Sequence, residues 1–266
     1  MSMQSLGFAA QSVAGRIRRH NEDALLCLPE LRLWAVADGM GGHQCGEVAS
    51  ALALEVLRDA VADGGDLEAA IHAAHQAILE VVQEESGRRM GSTVVAARFV
   101  DAEFEIAWIG DSRAYHLSLD GIARLTHDHS WVQAMIDAGE MNADEARRHP
   151  RRNIVTQCLG QAGQPLQVGR VQGRLAPGEL LLLCSDGLTG ELNDEQIQEV
   201  CADAATLDAL VDELVGLANR MGGRDNISCI VLGRSMAEST KIDAGPRNFF
   251  SRWLHSRKHR ANDALS

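Results

Sequence analysis

A chain of 266 residues, 45% hydrophobic and 23% charged, suits one large domain with a sizeable core, or one domain with an appended tail. Its net charge of −12 argues against nucleic acid as the main partner, because binding a phosphate backbone needs clustered positive charge. No apolar run approaches the roughly 20 residues of a membrane span, and "MSMQSLGFAAQSVAG" lacks the basic start and long apolar stretch of a secretory signal, so a cytoplasmic protein is expected.

Strand-like runs come first. "DALLCLP" begins at Asp23 and "RLWAVAD" ends at Asp38, with a Pro29-Glu30 turn between them. From Glu47, apolar residues recur at Ala49, Leu52, Ala53, Val56, Leu57 and Ala60, the spacing of one helix face. A second helix repeats the pattern at Leu67, Ile71, Ala74, Ile78 and Val82, with Asp66 before it as an N-cap. Strands resume with "GSTVVAARFV" and "EFEIAWIGD", where Phe104, Ile106 and Trp108 alternate onto one face. "SRAYHLSLDGIARLT" reads as a hairpin turning at Asp120-Gly121. Residues 129 to 160 are polar and helical, like a surface insertion. "ELLLLCSD" is a buried strand, Leu207 to Met221 marks another helix, and "NISCIVLG" closes the domain. Strands in runs and helices in pairs favour α+β layers over alternating βαβ units.

The six cysteines, 27, 45, 158, 184, 201 and 229, form no C-x-x-C pair and read as buried reduced thiols. His72 and His75 are not at i, i+4 and make poor metal ligands; His127 and His129 read as structural. From about Ser235 the character changes to "GPRNFFSRWLHSRKHR", basic and aromatic. Residues 236–266 therefore form a tail, either a disordered solubilising end or an amphipathic segment that docks on an acidic membrane surface or a partner.

One pattern recurs. Asp38 in "AVADGMGG", Asp111 in "IGDSR", Asp186 in "CSDGL", Asp225 in "RDNIS" and Asp23 in "NEDAL" all stand at strand ends. A single Asp-Gly there is usually a turn. Five carboxylates converging on one sheet edge would repel unless cations sit between them. Oxygen-only donors point to a hard cation, Mg²⁺ or Mn²⁺, rather than zinc. Gly39, lacking a side chain, can turn its carbonyl to a metal and let the strand approach closely. Two such ions about 3.5–4 Å apart can share one carboxylate and activate a water, the machinery of phosphate-ester hydrolysis. "GRIRRHNED" places Arg16, Arg18 and Arg19 just ahead of Asp23, and an arginine fork can grip phosphate oxygens.

Together "RRHNEDA", "VADGMGGHQCGEVAS", "GSTVVAA", "IGDSRAY", "LTHDHSWV", "RNIVTQCLG", "LLLCSDGLT" and "RDNISCIVL" resemble the metal-dependent type 2C protein serine/threonine phosphatases, in the family's order and over roughly residues 6 to 234. The "DGMGGH" form is similar to the bacterial, stand-alone branch. The resemblance implies a four-layer α-β-β-α sandwich, two central antiparallel sheets flanked by helix pairs. By position, Asp38 would bridge two core metals and Gly39 would ligate through its carbonyl. Asp186 and Asp225 would complete the first metal's shell, and Asp23 would hold metal-bound water with Glu22 beside it. Asp111 and Asp186 would support a third, weaker ion, and Arg18 would bind phosphate. Residues 130–160 would be a mobile flap on a catalytic domain spanning 1–235. A metal-bridged hydroxide would then attack phosphorus without a covalent phosphoenzyme.

Met40 departs from the eukaryotic pattern, which has a histidine there. His43 does not match in spacing, so no general acid is assigned. The implied substrates are phosphoproteins, opposite a cognate serine/threonine kinase, in signalling or type VI secretion control, with the enzyme acting as a monomer. The alternatives are a phosphatase of an anti-sigma-factor antagonist, whose relatives usually carry a sensor domain, and a silent phosphoprotein-binding pseudophosphatase, which should lack a metal aspartate or the arginine.

Overall fold

Two long amphipathic helices and a set of apolar strands must each bury one face, and the chain solves this by stacking. The computed structural model describes residues 6–42, 45–84, 90–118 and 120–234; the tail from 236 and His43 lie outside the described residues. In chain order the elements are β1 (Leu6–Val13), β2 (Asp23–Leu28), β3 (Leu33–Gly41), α1 (Cys45–Ala62), α2 (Leu67–Glu84), β4 (Met90–Ser92), β5 (Val94–Val100), β6 (Glu103–Ile109), β7 (Arg113–Ser118) and β8 (Gly121–Arg124). There follow α3 (Trp131–Asp137), α4 (Ala143–Arg148), β9 (Gly169–Arg174), β10 (Leu180–Cys184), α5 (Asp186–Thr189), α6 (Asp194–Asp203), α7 (Leu207–Met221) and β11 (Ile227–Arg234).

The strands form two antiparallel sheets, one in the order β1-β11-β10-β7-β8 and the other β2-β3-β5-β6-β9, with β4 paired to β3. The alternation expected of β6 is present: Phe104, Ile106 and Trp108 face Leu181, Leu183, Ile230 and Leu232 of the opposite sheet across the central core. The other face of the β2–β9 sheet packs on α1 and α2 through Ala49, Ala53, Leu57, Ile71 and Ile78. The other face of the β1–β8 sheet packs on α6 and α7 through Ile197, Leu210, Leu214 and Ala218. The result is the α-β-β-α sandwich. Asp66 caps α2 as expected, its Oδ1 accepting from the Ala69 amide at 2.8 Å.

Three readings are refined. β1, β9, α5 and α6 carry no sequence expectation above, yet each takes part in a layer. The 130–160 segment is helical only over α3 and α4 and then runs through turns, returning to the body by a bridge between Leu159 and Ser92. Cys45, Cys184, Cys201 and Cys229 are buried as expected, but Cys27 and Cys158 are only partly buried. Among the described residues no helix is long and apolar enough to cross a membrane.

Strand register brings the aspartates to one end. Asp23 opens β2 directly opposite Asp38 in β3. Cys184, the last residue of β10, pairs with Cys229 near the start of β11, so Asp186 and Asp225 emerge together. Ile109 at the end of β6 pairs with Val94 at the start of β5, which sets Asp111 beside Thr93 and so beside β3. Two sheets thus contribute to one edge of the sandwich.

Candidate active site

Asp38 is held by its backbone before its side chain does anything. The Asp38 amide donates to Thr93 Oγ1 at 3.1 Å, and the Asp38 carbonyl accepts from the Thr93 amide at 2.9 Å and the Ser92 hydroxyl at 3.1 Å. The Gly39 amide donates to the Glu22 carbonyl at 3.1 Å. A Cβ on Gly39 would lie 1.9 Å from the Gly46 carbonyl oxygen in the first turn of α1. The glycine is therefore required by the close approach of α1, a reason additional to the bared carbonyl expected from the sequence. Gly110, with φ of +100°, turns the chain at the end of β6 so that Asp111 points inward, and His129 brackets it with hydrogen bonds of 2.9 and 3.2 Å.

A cavity of about 370 Å³ opens here, lined by Arg18, Asp38, Gly39, Asp111, Asp186 and Asp225, with Glu22, Met40, Thr93, Asn153 and Ile154 completing its wall. Five of the sequence-derived aspartates are thus accounted for, four on the wall and Asp23 behind it. Asp23 is partly exposed as a residue, but its Oδ1 is sealed from solvent without a hydrogen-bond partner, while Oδ2 accepts from the Ser185 hydroxyl at 2.8 Å. Of the three arginines ahead of it, Arg18 is the one on the cavity. Its guanidinium, about half exposed, reaches Asp225 Oδ2 at 2.8 Å.

Burial drives the electrostatics. It pushes the Asp23 carboxyl up to about 7, with the charges of Asp186 and Asp225 adding to the rise. Burial likewise raises Asp186 to about 6, with Asp225 as the next cause. Asp38 is held well above the usual carboxylate range by burial and then by Asp23, Asp186, Asp111 and Asp225, and Asp111 by burial and then Asp186. Such a group is unfavourable as a set of bare anions.

These residues suit hard cations. The donors are all oxygen, and two of them, Asp23 Oδ1 and Asp186 Oδ1, are buried without a partner. Among the described residues no three His, Cys, Asp or Glu side chains close on one point as a metal cage. Asp225 explains part of this: Oδ2 is taken by Arg18 and Oδ1 accepts the Asn226 amide at 2.8 Å.

Sequence reasoning missed the residues that tie the site together. Asn226 accepts the Glu22 amide at 2.9 Å and donates to the carbonyls of Ala14 and His20, fastening the Arg18 loop to β11. Ser185 bridges Asp23 and the Ser228 amide. Both stood next to a singled-out aspartate, in "RDN" and "CSD". His75, which donates nothing to the site, accepts the Gly160 amide, and His127 pairs with Asp137 at 2.8 Å; both act as structural histidines.

Residues 17–229 match the family model described as protein phosphatase 2C. The chain is 35% identical over 238 residues to a serine/threonine phosphatase of Listeria innocua serovar 6a, covering 84% of this chain and 94% of that one. Its structure is similar to that of the catalytic domain of the serine/threonine protein phosphatase PstP in complex with two manganese ions, with a TM-score of 0.77, 34% identity and coverage of 87% and 99%. It is likewise similar to the serine/threonine phosphatase PstP of Mycobacterium tuberculosis, with a TM-score of 0.79, 35% identity and coverage of 87% and 99%. It is also similar to PppA, a regulatory component of the type VI secretion system in Pseudomonas aeruginosa, with a TM-score of 0.73, 32% identity and coverage of 86% and 97%.

Proposed function

The chain belongs to the protein phosphatase 2C family, and from that premise we propose that it hydrolyses phosphoserine and phosphothreonine esters in proteins with hard divalent cations, opposing a serine/threonine kinase. The observation that supports this best is one cavity shared by Arg18 and the carboxylates of Asp38, Asp111, Asp186 and Asp225. Four crowded carboxylates are a cost to a fold unless they serve cations, and a cation on the rim beside them suits an anionic substrate.

In this reading Asp38, Asp186 and Asp225 would hold one ion once drawn together by it, Asp38 and the Gly39 carbonyl a second, and Asp111 with Asp186 a weaker third. Asp23 orders the water around them. Manganese is the ion bound to PstP, and magnesium suits the same oxygen donors. When bound, the ions would neutralise charge on the phosphoryl group and activate the attacking water.

The chain's own residues do the rest. Arg18 is tethered at one nitrogen by Asp225, which leaves its other N–H groups to take phosphate oxygens and offset the charge that builds on them during displacement. Thr93 and Ser92 fix the Asp38 backbone, so the carboxylate keeps its orientation as the phosphoryl group leaves. Met40 lines the same wall and carries no transferable proton. Residues 130–160 act as a flap over the cavity, on a catalytic unit spanning 1–235.

The test is manganese-dependent release of phosphate from a phosphothreonine peptide. Turnover that needs the metal is expected. Tight binding of metal and peptide without turnover would instead make this a phosphoprotein-binding module.

A further inference from the structure

The phosphate cavity does not end at the carboxylates. Through Asp111, Asp186 and Asn153 it joins a second cleft of about 570 Å³, larger than the first. A phosphorylated side chain needs only the first. The second has room for residues on either side of it, which is what a polypeptide substrate brings.

The floor of this cleft is already neutralised. Arg113 forks onto Asp128, with bonds of 2.6 and 3.0 Å, and Arg124 stands 3.7 Å from the same carboxylate. Of the acids on its walls, Asp111 and Asp186 belong to the carboxylate set that the proposed cations would neutralise, and the others stand at helix N-termini. Asp144 lies in the first turn of α4, and Asp194 and Glu195 lie in the first turn of α6, where the helix dipole compensates negative charge. Asp194 additionally accepts the Tyr115 hydroxyl at 3.1 Å.

Two arginines on the same walls have no carboxylate partner, although Arg147 lies in the last turn of α4, where the dipole favours it. Arg147 and Arg152 line the cleft from the 130–160 segment, and neither forms an ion pair among the described residues. Glu191, which feels the charge of Arg152, is gripped by Arg224 at 2.7 Å. Arg148 and Arg151 flank them, so residues 147–152 hold four arginines in six positions on a chain of net charge −12. Arg147 and Arg152 are the two of the four that line the cleft, and on an acidic protein such a pair beside the catalytic cavity suits an anionic ligand. Because the arginines line a cleft, the ligand they fit is an extended chain and not a flat surface.

Resting on the phosphatase reading above, we propose that this cleft is a docking subsite for acidic residues near the phosphorylated residue of the substrate, held by Arg147 and Arg152. The subsite sets which phosphoproteins are preferred and takes no part in the displacement itself.

The experiment uses the full chain with manganese and three substrates: 4-nitrophenyl phosphate, a phosphothreonine peptide flanked by Asp and Glu, and the same peptide with Asn and Gln in their place. The acidic peptide should show a kcat/KM about tenfold above the neutral one, the discrimination that two modest ion pairs supply. That preference should fade as salt is raised to about 0.5 M. The double variant Arg147→Glu, Arg152→Glu should invert it, and Arg147→Gln, Arg152→Gln should abolish it. Both variants should keep turnover of 4-nitrophenyl phosphate within about twofold, since that substrate does not reach the exposed ion pairs. Equal kcat/KM for the two peptides in the wild type would overturn the subsite. So would a parallel loss of all three activities in the glutamine variant, which would make the arginines supports of the fold. Absence of turnover on every substrate by the wild type would refute the phosphatase reading, and the subsite with it.

Discussion

Replacing Asp23 by asparagine tests whether the site is built at the expense of stability. Burial holds the Asp23 carboxyl near 7, against 3.8 when free. Because the folded value is the higher one, the native state binds its proton more tightly than the unfolded chain. The corresponding stability is complete below about pH 4 and is lost as pH rises through about 7. At about 1.4 kcal/mol per pH unit, that span amounts to about 4 kcal/mol as an upper figure. Asparagine is neutral throughout, and its oxygen can still accept from the Ser185 hydroxyl.

In chelator at pH 8, Asp23→Asn should therefore be more stable than the wild type by up to about 4 kcal/mol, with the difference vanishing near pH 4. Manganese should narrow the difference, since a ligand bound only by the native state stabilises it by about 2.7 kcal/mol at a hundredfold excess over Kd. Urea unfolding followed by tryptophan fluorescence reads this directly, because Trp34 is buried between the sheets. A variant no more stable than the wild type at pH 8 in chelator, or a difference that does not change with pH, would refute the reasoning.

Other outcomes follow from the same geometry. Arg18→Ala should lower kcat/KM for phosphopeptides by about 100-fold, the scale of removing one charge-stabilising donor, and change stability by less than about 1 kcal/mol because its ion pair is half exposed; a large loss of stability with activity intact would contradict this. Gly39→Ala should destabilise the fold by about 1–3 kcal/mol, since the new methyl meets backbone of α1 that cannot turn aside, and a melting curve matching the wild type would count against the close approach. Asp38→Asn should abolish turnover and weaken manganese binding measured by equilibrium dialysis, whereas a variant that binds and turns over normally would remove Asp38 from the site.

The α+β layering and the set of aspartates were largely readable because both follow short-range rules, whereas the four-layer stacking came from the family resemblance. The α1 and α2 faces repeat every three to four residues, and an aspartate after an apolar run marks a strand end. β9 was invisible for a reason that only the partner strand supplies. "GRVQGR" has no apolar run, yet Gly169 and Gly173 sit opposite Trp108 and Phe104, and a Cβ at either would fall 2.3 or 2.4 Å from a ring atom. The glycines leave room for the rings that cover them, a pairing no local pattern announces. β1 hides because it is an edge strand with one buried residue, Ala9. α6 is polar, but its Asn193–Gln196 capping box was a signal available in the sequence. Asn226 and Ser185 escaped notice because their roles depend on which loops are brought together, as Asn226 holding both Ala14 and His20 illustrates.

The position of β11 has a consequence for when the protein becomes an enzyme. It is the last of the described strands, yet it lies inside its sheet, between β1 and β10. During synthesis β1 emerges first and has no neighbour in that sheet until β11 arrives. Asp225, just ahead of β11, completes the catalytic edge only at that moment, and Asn226 then draws the Arg18 loop into place. On the proposed reading, a nascent chain would stay inactive until β1 and β11 meet, so the order of assembly itself would delay hydrolysis.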